Sequence, residues 1–591
     1  MSGLTMPSPQ TVLPRACVDW KTLGGAIAVV LTVFLVYFPA LRGEFVWDDD
    51  LLVTGNPLLR SVSGLAEIWS GSRTPDYLPL TNTILWLEFH FFGQNPTGYH
   101  AFNILLHATN ALLIWMLLRR LNVGGGWLAA MIFAIHPLHA ESVGWISELK
   151  NVLSMFFALL SILCFIRASG PAYLASIFLF GLALLSKTQI VFLSGVLLLV
   201  EWWRSGKLGW RTVARTAPFF AMSILAGIAT IWFQNRGIGD EDIPVGSIAR
   251  RFANAGMAVW WYVGKLLCPV RLMAVYPNWR FDSPRPTEWL PLIALVVLVT
   301  FLWLGRNRGT RDLFFAIACF ILALLPALGF LRMAYIRSGT LVANHFQYFA
   351  DFPLIALFSA AVVSISKRGA IVRGIVYAGV VLVLAAAATS TWTQAELFQN
   401  EEAFWLDTVS KNPKAWQGHA RLGQRFVRRE RYAEAIPHLE RAIELKPEIA
   451  DHYNLLGLAY CRVERFEEGI AQYRRALELK LARSTMTTRS SLATIHTNLA
   501  NALAITAGRL GHVGASAEAT ARYKEAVREY EEALALEPEQ PGIHRNFGLL
   551  LAALGRNDEA IAQLRIVLKL VPNEPVARET LAELESQPRP P

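Results

Sequence analysis

Residues 24–57 read GGAIAVVLTVFLVYFPALRGEFVWDDDLLVTGNP. An apolar stretch of about twenty residues, the length that crosses a bilayer as a helix, runs straight into three consecutive carboxylates, Asp48, Asp49 and Asp50. The stretch lacks a small-residue cleavage site and is long enough to span, so it reads as an uncleaved first helix rather than a signal peptide. Three acids just outside a membrane, set among Phe45, Val46, Trp47, Leu51, Leu52 and Val53, are either solvated loop charges or the start of a site. Burial raises a carboxyl pKa and a nearby cation lowers it, and either shift suits a general base.

The rest of the chain extends this pattern. It has 591 residues, too many for one compact domain, of which 54% are hydrophobic and 17% charged. The apolar residues concentrate in 22–390, whereas 395–591 is rich in Glu, Arg and Ala and holds no apolar run of span length. The expected architecture is therefore all-α, a polytopic membrane domain over 22–394 followed by a soluble domain over 395–591, with 1–21 as a cytoplasmic tail. The net charge of +10 is explained by Lys and Arg in cytoplasmic loops and does not call for nucleic acid. None of the five cysteines is spaced for zinc or for a disulfide framework.

About eleven spans are expected, near 23–41, 100–118, 127–146, 151–166, 171–187, 189–203, 216–234, 289–305, 312–331, 353–366 and 370–390. Arg119 and Arg120, Arg167, RSGKLGWRTVAR, GRNRGTRD and SKRGAIVR follow the even-numbered ones. By the positive-inside rule those ends are cytoplasmic, provided that 253–286 is re-entrant or interfacial. The outer face then gathers the loop 42–98, HPLHAESVGWISELKN (136–151), LLSKTQ (184–189), 235–286 and RMAYIRSGTLVANHFQYFADF (332–352). The loop 42–98 is rich in Trp, Phe and Pro, as helices lying in the interface would be.

Prolines recur 34 residues apart in the soluble part, Pro413 with Pro447 and Pro538 with Pro572, around YAEAIPHLERAIELKPE, FEEGIAQYRRALELK, YKEAVREYEEALALEPE and NDEAIAQLRIVLKLVPN. That period and closing proline are those of tetratricopeptide repeats. Gly423, Ala435, Gly457, Gly469, Gly548 and Ala560 fall where paired helices must approach closely. LARSTMTTRSS and TAGRLGHVGASAEAT stretch the third repeat and read as a loop insertion. Such arrays form a concave groove for extended peptides, so 413–572 either presents an acceptor or serves as an assembly handle.

A carboxylate at the outer face, interfacial helices and polar span ends suit transfer of a sugar from a lipid-linked donor. An Asp would take the proton of an acceptor hydroxyl, and cations would hold the charge of the departing lipid phosphate. FVWDDDLLVTGNPLL, the block 77–113, FAIHPLHAESVGWISELKNVLSMFFALLSIL and LALLSKTQIVFLSGVLLLVEWW together resemble the bacterial relatives of the transmembrane-and-tetratricopeptide-repeat O-mannosyltransferases. These are GT-C glycosyltransferases using polyprenyl-phosphate sugars. The resemblance covers nearly the whole chain. It implies an enzyme that moves a sugar with inversion from a polyprenyl-phosphate donor to protein Ser or Thr, in a bacterial inner membrane with periplasmic repeats, or in the endoplasmic reticulum of a eukaryote. It places the acidic motif on Asp48 and Asp49, with Asp48 favoured as base and Asp49 orienting the acceptor or a cation. It aims Lys187 at the lipid phosphate, with Arg332 and Arg337 as further phosphate ligands. His136, His139, Glu141, His345 and Tyr348 shape the site, and Glu148, Lys150 and Asn151 pair structurally. A divalent cation, Mg or Mn, is neither required nor excluded. His-Pro-Leu-His is poorly arranged for zinc because the proline disturbs the helical face. Asn344 stands where many relatives have Asp, which removes a charge and weakens a metal-ligand or second-base role there; Thr188 stands where many have Glu, which implies that donor or metal details differ.

Three other readings compete. One is an inactive scaffold that recruits envelope proteins through its repeats, and another an enzyme that glycosylates a glycan. The third, a lipid-sugar flippase, would need ionisable residues inside the spans, and few are evident at mid-span.

Overall fold

A computed structural model describes residues 20–71, 76–167, 169–238, 245–331, 335–336, 339–481, 489–512 and 514–586. Arg332 and Arg337 lie outside the described residues. Every regular element among those described is helical, as expected. The chain divides into two compact units, Met1–Asp407 and Thr408–Pro591.

The first unit runs α1 (Trp20–Val36), α2 (Val62–Ser70), α3 (Pro79–Phe92), α4 (Pro96–Arg120), α5 (Gly126–Ala134), α6 (Ala140–Gly144), α7 (Leu149–Ile166), α8 (Gly170–Ser186), α9 (Leu193–Ser205), α10 (Trp210–Ile238), α11 (Ile248–Leu267), α12 (Leu290–Leu304), α13 (Arg311–Leu324), α14 (Asp351–Ser366), α15 (Ala370–Glu396) and the start of α16 (Glu401–Lys411). Among the described residues, five stretches are long and apolar enough to cross a membrane: Pro96–Arg120, Ile146–Ile166, Trp210–Arg236, Pro286–Leu304 and Ala370–Gln399. Trp20–Val36, Gly170–Ser186 and Asp351–Ser366 are shorter apolar helices. This is a membrane domain, with fewer full-length spans than the hydropathy of the chain suggests. The region 127–146 illustrates why. It breaks at His136-Pro137 into α5, a 3-10 turn and α6, because proline removes a backbone donor and clashes with the preceding turn. Outward-facing Ile371, Ile375, Val381 and Leu382 on α15 are exposed, which is stable only where lipid covers them.

The loop 42–98 folds as expected into helices, α2 and α3, with short turns before them. Thr81 on α3 donates to the carbonyl of Ser186 at 2.8 Å, so α3 is fastened to the end of α8. α11 begins the region read as re-entrant. It is a 20-residue helix whose buried face includes Ala253, Asn254, Ala258 and Tyr262, and it is followed by irregular chain to Arg285.

The second unit pairs α17 (Trp416–Arg428) with α18 (Tyr432–Leu445), α19 (Ala450–Arg462) with α20 (Phe466–Leu481), α21 (Arg489–His512) with α22 (Ser516–Leu536) and α23 (Pro541–Ala553) with α24 (Asn557–Leu570), and ends on α25 (Pro575–Ser586). The small residues sit at the helix crossings: a Cβ on Gly469 would stand 2.8 Å from the carbonyl oxygen of Gly457. The expected loop at 506–520 is not one. α21 continues to His512 and α22 restarts at Ser516. Ala-rich sequence on both sides favours helix, and Gly514 takes the turn at φ +85°. Residues 482–488, most of the other insertion, lie outside the described residues.

Candidate active site

Adjacent in sequence, Asp48 and Asp49 have opposite surroundings. Asp49 is fully buried. One of its oxygens accepts the Val46 N–H at 2.9 Å, and the other accepts the Ser147 N–H at 2.8 Å and the Ser147 hydroxyl. Burial pushes its carboxyl up to about 7, against the pull of those hydrogen bonds. Asp49 thus clamps the acidic loop to the turn after α6, and no oxygen is left for a substrate. Asp48 is half-buried beside it.

Trp47 sets this division. It holds φ +53°, a region a bulky residue occupies only under constraint. The constraint is aromatic. Trp47 stacks on Trp145 at 4.8 Å and packs edge-on to Trp405 at 5.0 Å, and its backbone N–H donates to Glu401 at 3.4 Å. The Trp145 indole in turn donates to the Val46 carbonyl at 3.2 Å.

Lys187 closes the end of α8. Its ammonium donates to the Asn151 side-chain oxygen at 2.6 Å and lies 3.5 Å from the Glu148 carboxylate. Lys150 meets the other oxygen of Glu148 at 2.9 Å. Asn151 donates to Glu148, to Ser142 at 3.2 Å and to the His345 carbonyl at 3.1 Å. Burial pushes the Lys187 ammonium down to about 8, against the attraction of Glu148. Asp76, in the loop 42–98, acts on both lysines through space, and Asp48 acts on Lys150. Glu148, Lys150 and Asn151 therefore do pair, and they pair around Lys187.

Glu141 and His345 also come together. His345 Nδ1 sits 2.5 Å from the Glu141 carboxylate, whose other oxygen accepts the Asn344 amide at 2.8 Å. The Tyr276 hydroxyl donates to Asn344 at 2.8 Å, which fixes the amide so that its NH2 faces Glu141. An Asp here would place two carboxylates against each other. Asn344→Asp is expected to lower the melting temperature in chelator by several degrees, since a buried like-charge pair costs a few kcal/mol; a thermal-shift series with and without Mn checks it. Among the described residues no three or more His, Cys, Asp and Glu side chains are grouped to hold a metal.

His136, His139 and Tyr348 are elsewhere, in a buried network below the site. His139 bonds the Phe133 carbonyl at 2.8 Å and Asp351 at 3.2 Å. His136 bonds the Leu266 carbonyl at 3.1 Å, and the Tyr348 hydroxyl lies 2.9 Å from His107. These residues brace α5, α11 and α14 rather than touch the acidic loop. The network also shows what the sequence reading passed over. His100, Asn103, His107 and Asn110 form one buried polar face of α4, at spacings of three and four that were visible in HAFNILLHATN. A polar face buried inside a membrane bundle marks helix–helix contacts, where such groups find partners.

An all-helical membrane domain that sets a half-buried carboxylate beside a pair of lysines, joined to a helical-hairpin array, describes a class: a membrane protein with an acid–cation site at the ends of its helices. Residues 74–233 match the family model for dolichyl-phosphate-mannose-protein mannosyltransferase, and 420–482 and 518–584 match tetratricopeptide-repeat models. The chain is 29% identical over 226 residues to the protein O-mannosyl-transferase TMTC4 of Homo sapiens, covering 32% of this chain and 29% of that protein. It is 29% identical over 206 residues to TMTC1 of Mus musculus (30% and 22%) and 32% identical over 146 residues to tmtc2 of Xenopus laevis (22% and 17%). The chain is similar to these protein O-mannosyl-transferases over less than a third of their length. Among solved structures, the MamA protein (17% identity, 34% of this chain and 91% of that one, TM-score 0.24) and YrrB, a TPR protein with an unusual peptide-binding site (18%, 35% and 90%, TM-score 0.25), are similar in part.

Proposed function

We propose that the chain is an integral-membrane glycosyltransferase that moves a sugar, mannose by analogy with its relatives, from a polyprenyl-phosphate donor to a hydroxyl acceptor on protein. Asp48 is the base. It takes the proton of the acceptor hydroxyl as that oxygen attacks the anomeric carbon; the bond from that carbon to the phosphate oxygen breaks on the opposite side, so configuration inverts. The phosphate leaves with a second negative charge, which Lys187 meets. Asp49 holds the loop that carries the base, and Glu141 with His345 walls the site. The reaction occurs at the outer face, in the compartment that also holds the repeats, which supply the protein acceptor through 413–572. About eleven membrane crossings, short ones included, and a bacterial inner membrane fit this reading.

The observation that carries it is the pairing of a half-buried Asp48 with a lysine pair that has surplus positive charge, both built on the segment 45–187, most of which lies within the family match. The test is transfer of labelled sugar from polyprenyl-phosphate mannose to envelope proteins by the purified chain in lipid nanodiscs. Transfer to protein and release of polyprenyl phosphate are expected in equal amounts; neither product appearing would end the reading. Deleting 412–591, which keeps Glu401 and Trp405 against Trp47, should preserve donor turnover and reduce transfer to protein severalfold. Undiminished transfer would remove the repeats from acceptor binding.

The Lys187 ammonium gives a pH signature. A lysine with a pKa near 8 is charged below that pH and neutral above it. Donor affinity should be full at pH 7 and fall as pH rises through about 8, while a Lys187→Arg variant, charged throughout, should show no such fall. Donor KM measured from pH 6.5 to 9.5 decides it.

A further inference from the structure

Glu148 is a single buried carboxylate, 1% exposed, with an ammonium on each oxygen. Lys150 and Lys187 are 19% and 12% exposed, so the two cations form the open edge and the carboxylate lies behind them. The three groups together carry one surplus positive charge. Asn151, neutral, supplies the remaining contact of Lys187. The Lys150 ammonium lies 5.7 Å from the centroid of the Trp145 ring, which also stacks on Trp47. The carboxylates facing the pair from other elements are Asp48 and Asp76.

We infer that Lys150 is the second cation of the donor-phosphate seat, binding the lipid-linked phosphate jointly with Lys187, with Glu148 fixing both ammoniums in register. This rests on the glycosyl-transfer reading above. A sugar phosphodiester carries one negative charge, and the phosphate it becomes carries a second. During the proposed step Asp48 gains a proton and loses its charge. Lys150, which feels Asp48 on one side and shares Glu148 with Lys187 on the other, therefore faces one negative charge that moves from the carboxylate to the phosphate. Negative charge thus leaves Asp48 and accumulates on the phosphate that Lys150 and Lys187 hold, so their attraction to that phosphate grows as the leaving group forms.

The test uses the full chain in nanodiscs with polyprenyl-phosphate mannose. In Lys150→Gln, loss of a charged hydrogen bond should raise the donor KM and the inhibition constant of polyprenyl phosphate by about ten- to a hundredfold. The acceptor KM should not change, and Lys150→Arg should recover most of the loss. Unchanged donor KM and product inhibition in Lys150→Gln would overturn the inference. Asp48→Asn in parallel separates this from the larger reading: an inactive Asp48→Asn beside an unaffected Lys150→Gln sinks only the inference, and a fully active Asp48→Asn sinks the reading beneath it. A second measurement needs no variant. Acetylation of Lys150 in the unaltered protein, followed by mass spectrometry, should be blocked by polyprenyl phosphate and not by the same concentration of inorganic phosphate. Equal labelling with and without the lipid, or equal protection by inorganic phosphate, would contradict the assignment.

Discussion

Asp48→Asn is expected to reduce sugar transfer by about 10²–10⁴-fold, the range lost with a general base, with the melting temperature and donor affinity close to those of the unaltered chain. The choice between the two acids follows from their burial and from what the Asp49 oxygens do. A base needs a lone pair that an acceptor hydroxyl can reach. Both oxygens of Asp49 are taken by Val46 and Ser147, and the residue is fully buried. Asp48 is the acid that Trp47, turned through a positive φ and held between Trp145 and Trp405, leaves half-buried beside the lysine edge. Radiolabel transfer at saturating donor, with thermal stability and donor binding measured on the same preparations, checks the prediction. Wild-type transfer by Asp48→Asn would remove the residue from the chemistry.

The two acids also show where sequence reading stops. That an acidic cluster follows an apolar run was legible, because both are local features of the sequence. Which acid is buried was not, because the decision is made by Ser147, 98 residues away, and by tryptophans from three segments. The repeats were legible almost to the residue because their period and small crossing residues are local properties. The turn between α21 and α22 was misread because Gly and Ser suggest a loop, while the alanines around them sustain helix. The polar face of α4 was hidden by averaging: leucines and isoleucines on its other faces keep the helix apolar overall, so His107 and Asn110 vanish from a hydropathy profile. His136 and His139 looked like neighbours of the acidic loop because HPLHAES is contiguous, yet the 3-10 turn at Pro137 sends them to the Asp351 side and sends Glu141 to His345.

Asp49→Ala should damage the fold rather than the chemistry. Removing its carboxylate leaves the Val46 N–H, the Ser147 N–H and the Ser147 hydroxyl without the acceptor they share in a site closed to water. Each buried, unsatisfied donor costs about 1–3 kcal/mol, and the hydroxyl can turn elsewhere, so a total loss of about 3–5 kcal/mol is expected against a typical stability of about 5–15 kcal/mol. Asn is an informative intermediate. Its oxygen can still accept from Ser147, but its NH2 then meets the Val46 N–H donor to donor, so Asp49→Asn should recover part of the loss and no more. The pH response has a definite sign. The folded carboxyl titrates near 7, above its ordinary value of 3.8, so the folded protein holds this proton over a range where the unfolded chain has released it. Stability from this group is therefore full below about pH 4 and declines as pH rises through about 7. Asp49→Asn, which cannot titrate, should flatten the melting-temperature profile across that interval. A variant that kept the full slope from pH 4 to 7 would place the titrating group elsewhere, and an Asp49→Ala protein as stable as the unaltered chain would mean that the acidic loop is not held by this clamp.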